Sequence, residues 1–200
     1  MGRDFLITGS PRSGTRFMAA LFRSAGLGAT HEGVFIPAGI RPRVIKNVES
    51  SWLAAPHLQT WKYRFKKVIH LVRDPILVIS SQREREIMFR KENPYTKYIY
   101  DNVSEMTNFN NSIDNYLHFW IAWNEMIEKH TKTIVKIEDI NNDREKFLQD
   151  LGVYTTGKQL YKNFKCNSDG ETKKITMEKI EKSQWSKKFE EKVKQYGYDL

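Results

Sequence analysis

Residues 5–22 read FLITGSPRSGTRFMAALF. Phe5 to Thr8 form a short apolar run that stops at a glycine. From Thr15 onward the apolar residues Phe17, Met18, Leu21 and Phe22 recur with helical spacing. Gly9 and Gly14 bracket the turn between them as G-x-x-x-x-G. The pattern predicts a strand at about residues 4–8 and a helix at about 15–26, which Gly26 ends as a C-cap. A strand that passes through a glycine turn into a helix is the opening unit of a parallel α/β sheet. Its turn then lies beyond the strand's C-terminal end, where such sheets bind ligands.

The rest of the chain repeats that alternation. ATHE (29–32) and RVIKNVES (43–50) read as strands, and SSWLAAPHLQTWKYRF (50–65) as a short helix capped by Ser50 or Ser51. The continuous apolar run KVIHLVRDP (67–75) reads as the most deeply buried strand, and Pro75 stands where a new helix, PILVISSQREREIMF, can begin. Residues 92–112 are polar, aromatic and without periodicity, the pattern of a functional loop or an insert. Helix SIDNYLHFWIAWNEMIEKH (112–130), strand TIVKIED (133–139), helix DREKFLQDLGV (143–153) and helix SKKFEEKVKQYG (186–197) complete the chain. The expectation is an α/β fold of three layers, α/β/α, around a central parallel sheet, forming one domain over residues 1–200.

The 33 Lys and Arg against 24 Asp and Glu leave a formal charge of +9, which points to anionic partners without choosing among them. Towards the C-terminus lysines alternate with acids, as on a solvated helix face. Hydrophobic residues make up 40% of the chain, ordinary for a folded soluble domain, and no apolar run reaches the roughly eighteen residues of a membrane span. With no signal-peptide pattern in MGRDFLITG either, the reading is a cytoplasmic protein that engages no membrane. The single cysteine, Cys166, excludes an internal disulfide and a multi-cysteine metal site, and His57, His70, His118 and His130 have no metal-ligand spacing.

A glycine turn of this kind binds phosphate through converging backbone N–H groups and a helix N-terminus. The usual next residues are a lysine for the outer phosphates and a Ser or Thr for magnesium, but here Thr15 and Arg16 follow Gly14. Arg12, Arg16 and the hydroxyls of Ser13 and Thr15 are left to hold an anion without a metal. A second basic and hydroxyl pair, Arg73 and Ser81, stands eight residues apart in VIHLVRDPILVISS. If that helix lies back across the ligand, both reach one phosphate. The bland alternative pairs Arg73 with Asp74 and leaves Ser81 as an ordinary helix serine.

SPRSGTR (10–16) and VIHLVRDPILVISS (68–81) together resemble the sulfotransferases that use 3′-phosphoadenosine 5′-phosphosulfate (PAPS) and release 3′-phosphoadenosine 5′-phosphate (PAP). The loop is closest in wording to the carbohydrate and protein-tyrosine enzymes, with Arg12 where the cytosolic small-molecule enzymes carry lysine. The resemblance implies a P-loop-like sulfotransferase fold, a donor loop of Arg12, Ser13, Gly14, Thr15 and Arg16, a 3′-phosphate site of Arg73 and Ser81, and no metal. It also implies a glutamate as general base after the first helix. Glu32 fits, with Glu49 in reserve. His31 should point to the opposite side of a regular strand from Glu32 and support it rather than take the proton. The C-terminal SQWSKKFEEKVKQYGYDL is weakly similar to the family's tryptophan-containing segment, and Lys173, Lys174 and Trp185 are the candidates there for nucleotide contacts. Trp52 reads as core or as an acceptor platform. The resemblance further implies a hydroxyl acceptor, with a carbohydrate, a tyrosine and a small alcohol all open. The rival readings are a nucleotide kinase or NTPase-like protein, which lacks its lysine and magnesium ligand here, and a basic nucleic-acid-binding domain, which leaves the pairing of the two motifs unexplained.

Overall fold

The computed structural model describes residues 3–42, 46–86, 90, 92–104, 106, 112–155, 160 and 174–200. The predicted strand residues 43–45, the helix end at 87–89, Cys166 and Lys173 lie outside them. β1 (Arg3–Thr8) leads to α1 (Thr15–Ser24), β2 (Ala29–His31), the short strands β3 (Phe35–Ile36) and β4 (Gly39–Ile40), and β5 (Val48–Ser50). A 3-10 helix over Trp52–His57, then α2 (Leu58–Trp61) and a 3-10 turn over Lys62–Arg64, precede β6 (Phe65–Val72). Beyond it come α3 (Pro75–Glu84), α4 (Pro94–Asn102), α5 (Ile113–Glu128), β7 (Ile134–Lys136), α6 (Ile137–Asn142), α7 (Arg144–Asp150), α8 (Met177–Glu181) and α9 (Ser186–Gln195).

Five strands form one sheet in the order β2-β5-β1-β6-β7, with every neighbouring pair parallel. β1 is central, with Ile7 opposite Ser50 of β5 on one side and Ile69 of β6 on the other. Its side chains alternate between faces. Leu6 joins a core with residues of α3, α4, α5 and α9, whereas Phe5 and Ile7 join a core with α1, α6 and α7. The architecture is the expected three-layer α/β fold. Among the described residues no helix is long and apolar enough to cross a membrane.

Three local expectations change. The segment at 92–112 contains α4, opened by Asn93, whose side chain accepts from the Tyr95 amide, and by Pro94 in the first turn. That is a helix start written in two residues. SSWLAAPH is a 3-10 helix, and its N-cap Ser51 makes no side-chain capping bond. Pro56 lies inside it and has no N–H for an α-helical ladder. β7 stops at Lys136, and Glu138 and Asp139 fall in the first turn of α6, where the helix dipole favours acids.

Candidate active site

The turn after β1 is tightly built. A Cβ on Gly9 would stand 2.2 Å from the Leu71 carbonyl oxygen of the neighbouring strand, so only glycine lets the two backbones approach. Gly14, the N-cap of α1, has φ 105°, and Arg12 sits at φ 75°, a left-handed conformation costly for a side-chain-bearing residue. Its surroundings hold it there. Arg73 Nη1 donates to the Arg12 carbonyl at 3.2 Å, Arg12 Nε donates to Ser81 Oγ at 2.8 Å, and the Ser13 amide closes the turn on the Ser10 carbonyl at 3.1 Å. From α3 the buried Gln82 donates to Ser10 Oγ at 2.8 Å and to the Pro11 carbonyl at 2.9 Å.

α1 has no side-chain cap at its N-terminus. A cap contributes about 1 kcal/mol, while each of the buried Phe17, Met18, Leu21 and Phe22 contributes roughly 1.5–3 kcal/mol. The helix therefore does not depend on a cap, and its first residues, Gly14 to Arg16, border a cleft. That cleft has a volume of about 340 Å³. Arg12, Gly14, Thr15, Arg16 and Arg73 line it together with His31, Glu32, Trp52, Asn93, Tyr95 and Ile99.

His31 and Glu32 both face this cleft, against the expectation of opposite sides. β2 ends at His31, and Glu32 takes φ 52°, which breaks the strand's alternation. His31 Nε2 stands 3.2 Å from Thr15 Oγ1 and 3.6 Å from Glu32 Oε1, so the ring sits between the glycine turn and the carboxylate. Burial, with the charges of Arg16 and Arg23, pulls the His31 pKa down to about 4, so the ring beside Glu32 is neutral. Burial pushes the Glu32 carboxyl above its ordinary range, and hydrogen bonds from Tyr95 and Trp52 act against that rise. The Tyr95 hydroxyl donates to Glu32 Oε2 at 3.0 Å, with its ring 5.9 Å from that of Trp52.

The structure thus brings Arg12, Gly14, Thr15, Arg16, Arg73, His31 and Glu32 to one cleft, with Ser81 buried behind Arg12. Ser13 is buried and its amide is spent inside the turn. Glu49 is not available as a reserve base. It is fully buried and accepts from Thr30 Oγ1 and from the amides of Gly33 and Val34, and it does not line the cleft. Asp74 does not pair with Arg73 but caps α3, accepting from Ile76 and Leu77. Trp52 is both core and wall, buried against Trp123 and Tyr98. Trp185 stacks on His118 with ring centres 4.2 Å apart and does not line the cleft. Lys174 is exposed, and the next amide, of Ile175, anchors to Ser80 Oγ on α3. Buried His70 meets Asn124, and His57 meets the Tyr98 hydroxyl. No metal-binding group of His, Cys, Asp and Glu occurs among the described residues.

Gln82 and Tyr95 belong to neither sequence motif. Gln82 follows Ser81 directly on the helix that folds over the loop, and the Asn-Pro start of α4 is the signal that could have placed Tyr95 on a helix.

No protein-family model matches the chain, and no curated protein matches it. Among solved structures, mouse sulfotransferase SULT7A1 complexed with PAP aligns with a TM-score of 0.44 and 18% identity, over 80% of this chain and 61% of that one. The chain therefore spans less than two thirds of that enzyme's length.

Proposed function

We propose that this protein transfers a sulfuryl group from PAPS to a hydroxyl acceptor. The observation that carries the reading is that Arg12, held by Arg73 and resting on Ser81, lines one cleft together with an uncapped helix N-terminus and the half-buried Glu32 carboxylate. Guanidinium groups and helix N–H donors suit a nucleotide bearing phosphates at both its 3′ and 5′ ends. The donor, when bound, supplies an activated sulfuryl group.

Arg12, Arg16 and the amides at Gly14 and Thr15 hold the 5′ end, where negative charge grows on the leaving oxygen as the bond breaks. Arg73 and Ser81 hold the 3′-phosphate. Arg12 joins the two subsites, since its Nε rests on Ser81 while its carbonyl is held by Arg73. Glu32 takes the proton of the acceptor hydroxyl, and burial makes it a stronger base than an exposed glutamate. Neutral His31, in contact with Thr15, packs beside that carboxylate. Trp52, Tyr95 and Ile99 wall the acceptor end, which fits the ring of a carbohydrate, a tyrosine or a small alcohol.

The test is sulfur-35 transfer from PAPS to a panel of hydroxyl acceptors by the wild type and Glu32→Gln. Loss of about 10²–10⁴-fold in turnover, with PAP binding retained, is expected for a general base. Equal turnover by the variant removes Glu32 from that role.

A further inference from the structure

Glu49 is a fully buried carboxylate, and no salt bridge reaches it among the described residues. An ionisable group so placed costs stability unless hydrogen bonds satisfy it. Here those bonds all converge on one turn. β2 and β5 run parallel with Thr30 opposite Glu49, and the Thr30 hydroxyl donates to Oε2. Oε1 accepts from the Gly33 amide at 3.0 Å and the Val34 amide at 3.3 Å. These donors flank Glu32, the residue at φ 52°, whose own amide reaches back to the Ser50 carbonyl at 3.4 Å. The turn has no slack, since a Cβ on Gly33 would stand 2.7 Å from Thr30 Cβ.

A left-handed glutamate is unfavourable on its own and persists only where its surroundings impose it. The Glu49 carboxylate imposes it by gathering the N–H groups that follow Glu32. We propose that Glu49 is a positioning residue for the transfer reaction, holding the left-handed turn that aims the Glu32 carboxylate into the cleft. The role is separate from donor binding, because none of the Glu49 partners belongs to the Arg12, Arg73 and Ser81 constellation.

This inference rests on the reading of Glu32 as the base, and its test carries one readout that needs no substrate. Amide hydrogen exchange at Gly33 and Val34 should rise in Glu49→Ala and stay near wild type in Glu49→Gln, whose amide oxygen still accepts both N–H groups. In sulfuryl transfer, Glu49→Ala should lose about 10²-fold in kcat, the scale of a misplacement near 1 Å, with the thermal stabilisation by PAP retained. Glu49→Gln should recover most of that loss. If Glu49→Ala does not fold, Thr30→Val removes one of the three bonds to Glu49, with the Thr30 contact to the Val48 carbonyl, and should lower kcat less while leaving PAP stabilisation intact. Unchanged exchange at Gly33 and Val34, a kcat that survives Glu49→Ala or Thr30→Val, or a Glu49→Gln variant as impaired as Glu49→Ala would each overturn the proposal. A wild type that neither binds PAP nor transfers sulfate overturns instead the functional reading on which it rests, and the exchange result shows the two apart.

Discussion

The loop glycines are required by the protein itself before any ligand arrives, and Gly14→Ala tests this. A side chain at φ 105° costs on the order of 1–2 kcal/mol. The new Cβ would also stand 2.0 Å from Ile137 Cδ1, an overlap of the kind that costs about 1–3 kcal/mol. The next atom, Ile137 Cγ1, is at 3.4 Å, so the clash is with one methyl group that Ile137→Val removes. Ile137→Val alone should cost about 0.5–1.5 kcal/mol. The two changes are therefore expected to be coupled by about 1 kcal/mol or more, with the double variant more stable than the sum of the single losses. Equilibrium unfolding in urea of the wild type, both single variants and the double variant measures this directly. Additivity within about 0.5 kcal/mol would refute the packing of the loop against the start of α6.

Tyr95→Phe removes a donor that favours the charged form of Glu32, so the Glu32 pKa should rise further and the acid limb of the kcat/KM profile move to higher pH. A limb that stays or moves down would contradict that contact. His70 is buried with its pKa lowered to about 4 from 6.5, so between those values the unfolded chain binds a proton that the folded chain does not. Stability should fall as pH drops through that window, by at most about 3 kcal/mol for this residue, and His31 adds in the same direction. Denaturation midpoints against pH should show a shallower decline in His70→Gln, and identical slopes would contradict the assignment. Gln82→Ala releases Ser10 and Pro11 and should weaken PAP stabilisation and turnover together, whereas an unchanged PAP shift would show that the loop keeps its shape without it.

The opening strand, turn and helix were legible because apolar period and glycine spacing are local properties. Arg73 and Ser81 were legible for a similar reason, one ending a buried strand and the other lying on the helix that follows it. What could not be read was the path of Glu32, because alternation along β2 holds only while the backbone is extended, and it leaves that state at Glu32. Glu49 illustrates the same limit. A glutamate near a strand end reads as a candidate base, yet which way it turns depends on the amides of Gly33 and Val34, on a separate segment. Tyr95 meets Glu32 across 63 residues, a contact that no local pattern encodes.

The most direct measurement is a thermal-shift titration with PAP, with ATP–magnesium and AMP as controls, on the wild type and Arg73→Ala. Saturation to about 100 times Kd should stabilise the wild type by about 2.7 kcal/mol, a rise of roughly 5–11 °C for a chain of this size. The account predicts that rise with PAP, a smaller response to AMP and ATP–magnesium, and its loss in Arg73→Ala. Equal or greater stabilisation by ATP–magnesium, or a PAP response that survives removal of Arg73, would contradict it.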